Sequence, residues 1–109
     1  MIRILTLVAL VGLVACEQTT QAVDGAARRS AKGVVTETIA TRVPSVPKQL
    51  ITPFTDCVID NASANEIGEF AKAAVLGVTD ETAVLVRSVI ERPETQNCIL
   101  GAGRTALSL

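Results

Sequence analysis

The chain is expected to be all-α: a small bundle of three to four short helices, preceded by an amphipathic helix. Three observations lead there. Apolar residues recur at steps of three and four over most of the chain after residue 22, which is the helical period. Helix-start signals, Ser63 with Glu66 and Thr79 with Asp80, stand just before two of these stretches. Pro44, Pro47, Pro93 and Gly77 fall between them, where a helix is least able to continue. With 109 residues there is room for one domain at most.

Over residues 22–41, Val23, Ala27, Ala31, Val34 or Val35, and Thr38 or Ile39 share one face. Arg28, Arg29 and Lys32 lie on another side, and Gly25 and Gly33 weaken the helix. The apolar face either packs on the domain, or the helix lies along a lipid surface with its cations towards phosphate headgroups. Val43-Pro44-Ser45-Val46-Pro47 is a stiff connector. In residues 48–61, Leu50, Ile51, Phe54 and Val58 keep helical spacing around Pro53. Thr52 as N-cap with Pro53 at the first helical position accounts for that proline, and a continuous helix kinked at Pro53 is the alternative.

Ser63-Ala64-Asn65-Glu66 is a capping box, opening a helix with an apolar stripe of Ile67, Phe70, Ala71, Ala74 and Val75 that Gly77 stops. Thr79 or Asp80 caps the next helix, whose apolar face is Leu85, Val86, Val89 and Ile90. Its β-branched residues also suit a strand, but the caps and the length favour helix. Arg92-Pro93 ends it, and a last short helix runs from Pro93 through Cys98, Ile99 and Leu100 to Gly101, leaving residues 102–109 as a frayed tail.

The first fifteen residues are of another kind. Met1-Ile2-Arg3 is a short positive start, and residues 4–15 are an apolar run broken only by Thr6 and Gly12. As a helix that run spans roughly 18 Å, well short of the ~30 Å hydrocarbon core of a bilayer. It matches the apolar region of a cleaved signal peptide. The box that follows, Leu13-Val14-Ala15-Cys16, resembles the lipobox of bacterial lipoproteins. The resemblance implies cleavage after Ala15, a thioether-linked diacylglycerol on Cys16, and acylation (palmitate and its like) of the new amino terminus. The next residue is Glu17. In many Gram-negative species Asp at that place retains a lipoprotein in the inner membrane, so the resemblance favours the outer membrane, facing the periplasm, over the inner. Two or three acyl chains anchor stably where one does so marginally.

Given Cys16 as the lipid carrier, Cys57 and Cys98 remain as an even pair in an oxidising compartment, and a disulfide between them is expected. The organisation that follows is residues 1–15 as signal, 16–45 as lipid-anchored tether and amphipathic helix, 46–101 as the disulfide-closed helical domain and 102–109 as tail.

Composition narrows function mainly by exclusion. The formal net charge is −1, and with Arg3 the only charged side chain before Cys16 the mature chain is near −2, which argues against nucleic acid as a partner. There is no His, Trp or Tyr, and Phe54 and Phe70 are the only aromatics. The commonest general base and transition-metal ligand is therefore missing. Two thiols without C-x-x-C spacing do not suggest a metal site, and no cofactor is implied. Gly101-Ala102-Gly103-Arg104-Thr105 resembles the end of a phosphate loop, but Cys98 stands where Gly is needed and Arg104 where Lys is needed. Asp56 and Asp60 share a helix face, as paired catalytic carboxylates do, yet two exposed acids on a small helix are ordinarily just solvated. The expectation is not an enzyme. It is a membrane-anchored envelope lipoprotein with a structural or interaction role, held to the bilayer through Cys16 and docking on an unidentified envelope protein. An accessory subunit of a membrane-bound complex and a binding module for a small apolar ligand are the alternatives.

Overall fold

The computed structural model describes residues 24–107, all helical apart from turns. The signal segment, the lipobox, Cys16 and Glu17 lie outside the described residues. Five α-helices follow one another: α1 (24–42), α2 (Ile51–Asn61), α3 (Ala64–Leu76), α4 (Asp80–Ile90) and α5 (Pro93–Leu107), with a 3-10 turn at Lys48–Leu50 leading into α2.

The apolar side of α1 belongs to the core. Ala31, Val34, Val35, Thr38 and Ile39 are buried, at the spacing expected of one helical face. The Thr38 hydroxyl donates to the Val34 carbonyl at 2.7 Å, so no polar atom is stranded there. Two of its cations meet carboxylates of α2: Lys32 lies 3.1 Å from Asp56, and Arg28 lies 3.9 Å from Asp60. The hydroxyls of Thr36 and Thr55 meet at 3.1 Å. Rising numbers on α1 thus match falling numbers on α2, which makes the pair antiparallel. Both ion pairs are about half exposed, so each contributes no more than about 1 kcal/mol.

The connector bends where the prolines stand. The Val46 N–H donates to the Val43 carbonyl, closing a β-turn with Pro44 at its second position. Pro47, extended at φ −61° and ψ 148°, starts the 3-10 turn. Here the structure differs from the sequence reading. α2 begins at Ile51, and Thr52 is not its cap: no side chain caps this helix, because the 3-10 turn passes the backbone directly into it. Pro53 is the third α-helical residue, still within the first turn, where an N–H has no intrahelical partner to lose.

The next two helix starts follow the expected chemistry. Ser63 Oγ accepts from the Glu66 N–H and Glu66 Oε1 accepts from the Ser63 N–H, completing the box on α3. Thr79 does the same on α4 with Thr82 as its reciprocal partner. Gly77 ends α3 at φ 98°, a region closed to most L-residues, and its N–H returns to the Ala73 carbonyl. α5 does not stop at Gly101. Among the described residues only Gly77 has positive φ, so Gly101 and Gly103 are helical and the helix runs on to Leu107.

Cys57 and Cys98 are disulfide-bonded, with Cα atoms 5.7 Å apart, and tie α2 to α5. Closing a 41-residue loop in this way contributes about 4 kcal/mol by loop entropy. α2 packs on α5 and also meets α4. One core joins residues from both sides of the proline connector: Val34, Val35 and Ile39 of α1, Val58 and Ile59 of α2, Ile67 and Phe70 of α3, and Val86 and Val89 of α4. Phe70 is its largest fully buried side chain.

Two local features carry expectations. Gly68 is an exposed helical position with open space where a Cβ would sit. Gly68→Ala should therefore raise stability by about 0.5–1 kcal/mol, while Gly77→Ala should lower it by about 1 kcal/mol or more. The hydroxyl of Thr95 is fully buried and meets no hydrogen-bond partner. Thr95→Val should then stabilise by about 1 kcal/mol, seen as a rise of several degrees in the thermal midpoint by circular dichroism; a lower midpoint would mean that the hydroxyl is satisfied in solution.

Candidate functional site: the groove between α3 and α4

The apolar stripe read on α3 is used only at its start. Ile67 and Phe70 are buried, but Ala74 is exposed and Val75 is 85% exposed. Leu76 is 75% exposed and Val84, across on α4, is 63% exposed. The cause is geometric. No described helix covers the last turn of α3, so the face that should have been buried meets solvent. Between the two helices runs a half-open groove of about 590 Å³, with Phe70 on its inner side and Ala73, Leu76, Val84 and Leu85 along its walls. That volume is in the range of ligand and peptide sites. Its rim carries Glu69, Asp80 and Glu81 against Lys72 alone.

The rim charges are unevenly neutralised. Lys72 reaches Glu69 at 3.5 Å, one turn away on α3. Asp80 accepts from Arg42 at 2.6 Å, across from the end of α1. Arg87 of α4 donates to the Arg42 carbonyl at 2.7 Å, satisfying an acceptor at the carboxyl end of α1. Glu81 has no ion pair among the described residues.

The best-built polar cluster lies at the opposite end of α3. Arg92, in the turn between α4 and α5, grips Glu66 with both arms, Nη1 to Oε1 at 2.8 Å and Nη2 to Oε2 at 2.5 Å. Nη1 also donates to the Asn61 carbonyl at 3.1 Å, at the end of α2. One guanidinium thus joins the end of α2, the start of α3 and the entry to α5. The hydrogen bonds from Arg92, helped by the Ser63 backbone N–H, hold the Glu66 carboxyl down at about 2 against an ordinary 4.5, despite burial pushing the other way. The pairing raises the Arg92 guanidinium in turn. Both carboxylate oxygens of Glu66 and the Asn61 carbonyl are taken up by protein donors, so the cluster is structural in character.

Other residues singled out in the sequence fall as follows. Cys57 and Cys98 come together; Cys57 is buried and Cys98 partly so. Asp56 and Asp60 do not converge on a shared site but face Lys32 and Arg28 separately. Gly101 to Thr105 lies within α5 and forms no loop around a phosphate. Among the described residues no group of His, Cys, Asp or Glu is placed to hold a metal ion, and no helix is long and apolar enough to cross a membrane. The groove was not read from the sequence. The available signal was an excess of apolar residues off the main stripes, Val84 and Leu76 above all. No family model, no curated protein and no solved structure matches this chain.

The Glu66 clamp makes the acid limb of stability predictable. A depressed carboxyl contributes its full stabilisation above pH 4.5 and loses it as pH falls towards 2. The wild-type thermal midpoint should therefore drop across that window, by an amount equivalent to about 1–2 kcal/mol once solvent around the half-exposed Arg92 is allowed for. Glu66→Gln should be less stable at neutral pH and show a shallower fall over the same window. A parallel pH profile for the two proteins would show that the clamp does not form in solution.

Proposed function

We propose that this chain is a membrane-anchored bacterial lipoprotein of the cell envelope, whose helical domain is an interaction module and not an enzyme. The observation that carries the reading is Leu13-Val14-Ala15-Cys16, placed directly after a short apolar run behind Arg3. Acylated Cys16 holds the protein to the bilayer, and Glu17 favours the outer membrane, facing the periplasm. The Cys57–Cys98 disulfide agrees with an oxidising compartment. The exposed groove between α3 and α4 supplies a surface on which a small anchored domain can act by binding. An accessory subunit of a membrane-bound complex is one form of this role.

The groove also supports a second reading, a module for a small apolar ligand. It is half open, so such a ligand would keep much of its surface in water, whereas pockets for small molecules bury most of theirs. That leaves the protein partner as the better fit.

Metabolic labelling with palmitate tests the anchor. Wild-type chain should carry label and fractionate with membranes, while Cys16→Ser should carry none and remain unprocessed. Equal label in the two would end the lipoprotein reading.

A further inference from the structure

α5 is attached to the domain differently from the other helices. We propose that it is a redox-latched element: the Cys57–Cys98 bond holds it on α2, and cutting that bond frees α5 while α1 to α4 keep their packing. Neither half of this depends on the lipid anchor.

The first sign is what α5 buries. α2 and α4 each bury four side chains, among them Val58, Ile59, Val86 and Val89 of the common core. α3 buries two, Ile67 and Phe70, and both belong to that core. Over residues 93–105, α5 also buries two, Thr95 and Ile99, and neither belongs to it. No half-buried apolar residue of α5 packs against the core among the described residues. The inner face of α5 is Thr95, Cys98, Ile99, Ala102 and Gly103, at helical spacing, with Ile99 its one large apolar side chain. α5 thus lies along α2 and reaches the 3-10 turn while withdrawing little apolar area from water. Thr95 works against the contact, because its hydroxyl is buried without a partner for as long as α5 is docked. No ion pair joins α5 to another helix among the described residues.

The start of α5 is held in another way. Arg92 is fixed by Glu66 and the Asn61 carbonyl, and Gln96 Nε2 donates to the Ile90 carbonyl at 2.6 Å. These contacts keep the turn in place with or without the disulfide, so it serves as a pivot. Cys98 lies only six residues beyond Arg92, so a freed α5 stays near α2 and oxidation can close the latch again. Undocked, α5 is a poor helix: it is short and carries Gly101 and Gly103.

Opening takes a dithiol. Two electrons and two protons pass to the protein, the Cys57–Cys98 bond becomes two thiols, and the reductant's own thiols join as a disulfide. In an oxidising compartment the latch is closed. Opening uncovers the stretch of α2 around Cys57, with Phe54 and Asn61 one turn to either side. Loss of the cross-link lowers the stability of the whole domain, but Val35, Ile39, Val58, Phe70 and Val86 keep one another as neighbours in the core.

Hydrogen exchange read by mass spectrometry on the full chain, with and without dithiothreitol, tests the latch. Iodoacetamide capture on the Cys57 and Cys98 peptides establishes that the bond is cut. The expected result is a rise of roughly tenfold or more in exchange across residues 95–105, with peptides containing Val35, Val58 and Val86 still protected. Transfer into oxidised glutathione should restore the protection of α5. Thr95→Val removes the unpartnered hydroxyl, so in the reduced chain it should slow exchange in α5 and leave the core peptides unchanged. Unchanged exchange in α5 after reduction would show that packing alone holds the helix, and would overturn the proposal. Equal loss of protection in α5 and the core would overturn it too, since α5 would then belong to one cooperative unit. So would a pair that dithiothreitol cannot reduce until the core itself unfolds.

Discussion

The covalent tie between Cys57 and Cys98 sets where everything after α3 can lie. α2 is the helix that α1, α4 and α5 all meet, and the disulfide fixes α5 against its middle. With that point held, the turn before α5 falls beside the end of α2, where Arg92 reaches Asn61 and Glu66. The start of α3 is held in consequence, and α4 must cross the remaining side. The core has little to offer in place of this constraint. Among the described residues the buried side chains are mostly Val, Ile and Thr, with Phe70 the one fully buried aromatic. A domain of this size buries a limited share of its surface, so it leans on a cross-link.

Glu66 shows how local and long-range structure share one group. The same carboxylate completes a capping box with Ser63 and receives the guanidinium of Arg92. A helix start of this type is ordinarily a local affair stabilised by about 1 kcal/mol. Here it is also the anchor of the α4–α5 turn, so the entry to α3 and the placement of α5 depend on each other. The two ion pairs between α1 and α2 are different in kind: they are half exposed and report the alignment of the helices more than they secure it.

Apart from the Cys57–Cys98 pairing, which cysteine count made legible across 41 residues, what the sequence disclosed was local. The capping box at Ser63 and Glu66, the caps at Thr79 and Gly77, and the helical faces around Val35 and Val86 all rest on residues within a few positions of each other. The misreadings were local signals with two outcomes. Thr52-Pro53 suits a cap and first position, but a preceding 3-10 turn removed the need. Gly101 suits a stop only if it takes positive φ, and it remains helical. The groove and the Arg92–Glu66 clamp were out of reach because they join residues from separate helices, and periodicity on α3 says which residues share a face, not whether a neighbour arrives to cover it. Val75 lies on the right stripe and is still exposed.

The two sulfurs of the disulfide are unequally placed. Cys57 is 1% exposed at the centre of α2, whereas Cys98 is partly open on α5. Thiol–disulfide exchange requires in-line approach of a thiolate to one sulfur, and access decides which. Attack on the Cys98 sulfur, the side on which the residue is partly open, would form the mixed disulfide there and release Cys57 as a thiol still enclosed by the domain. Held in the core by α2, that thiol would stay beside Cys98 and be the one placed to re-form the bond, so the burial of Cys57 favours closure of the tie over its loss.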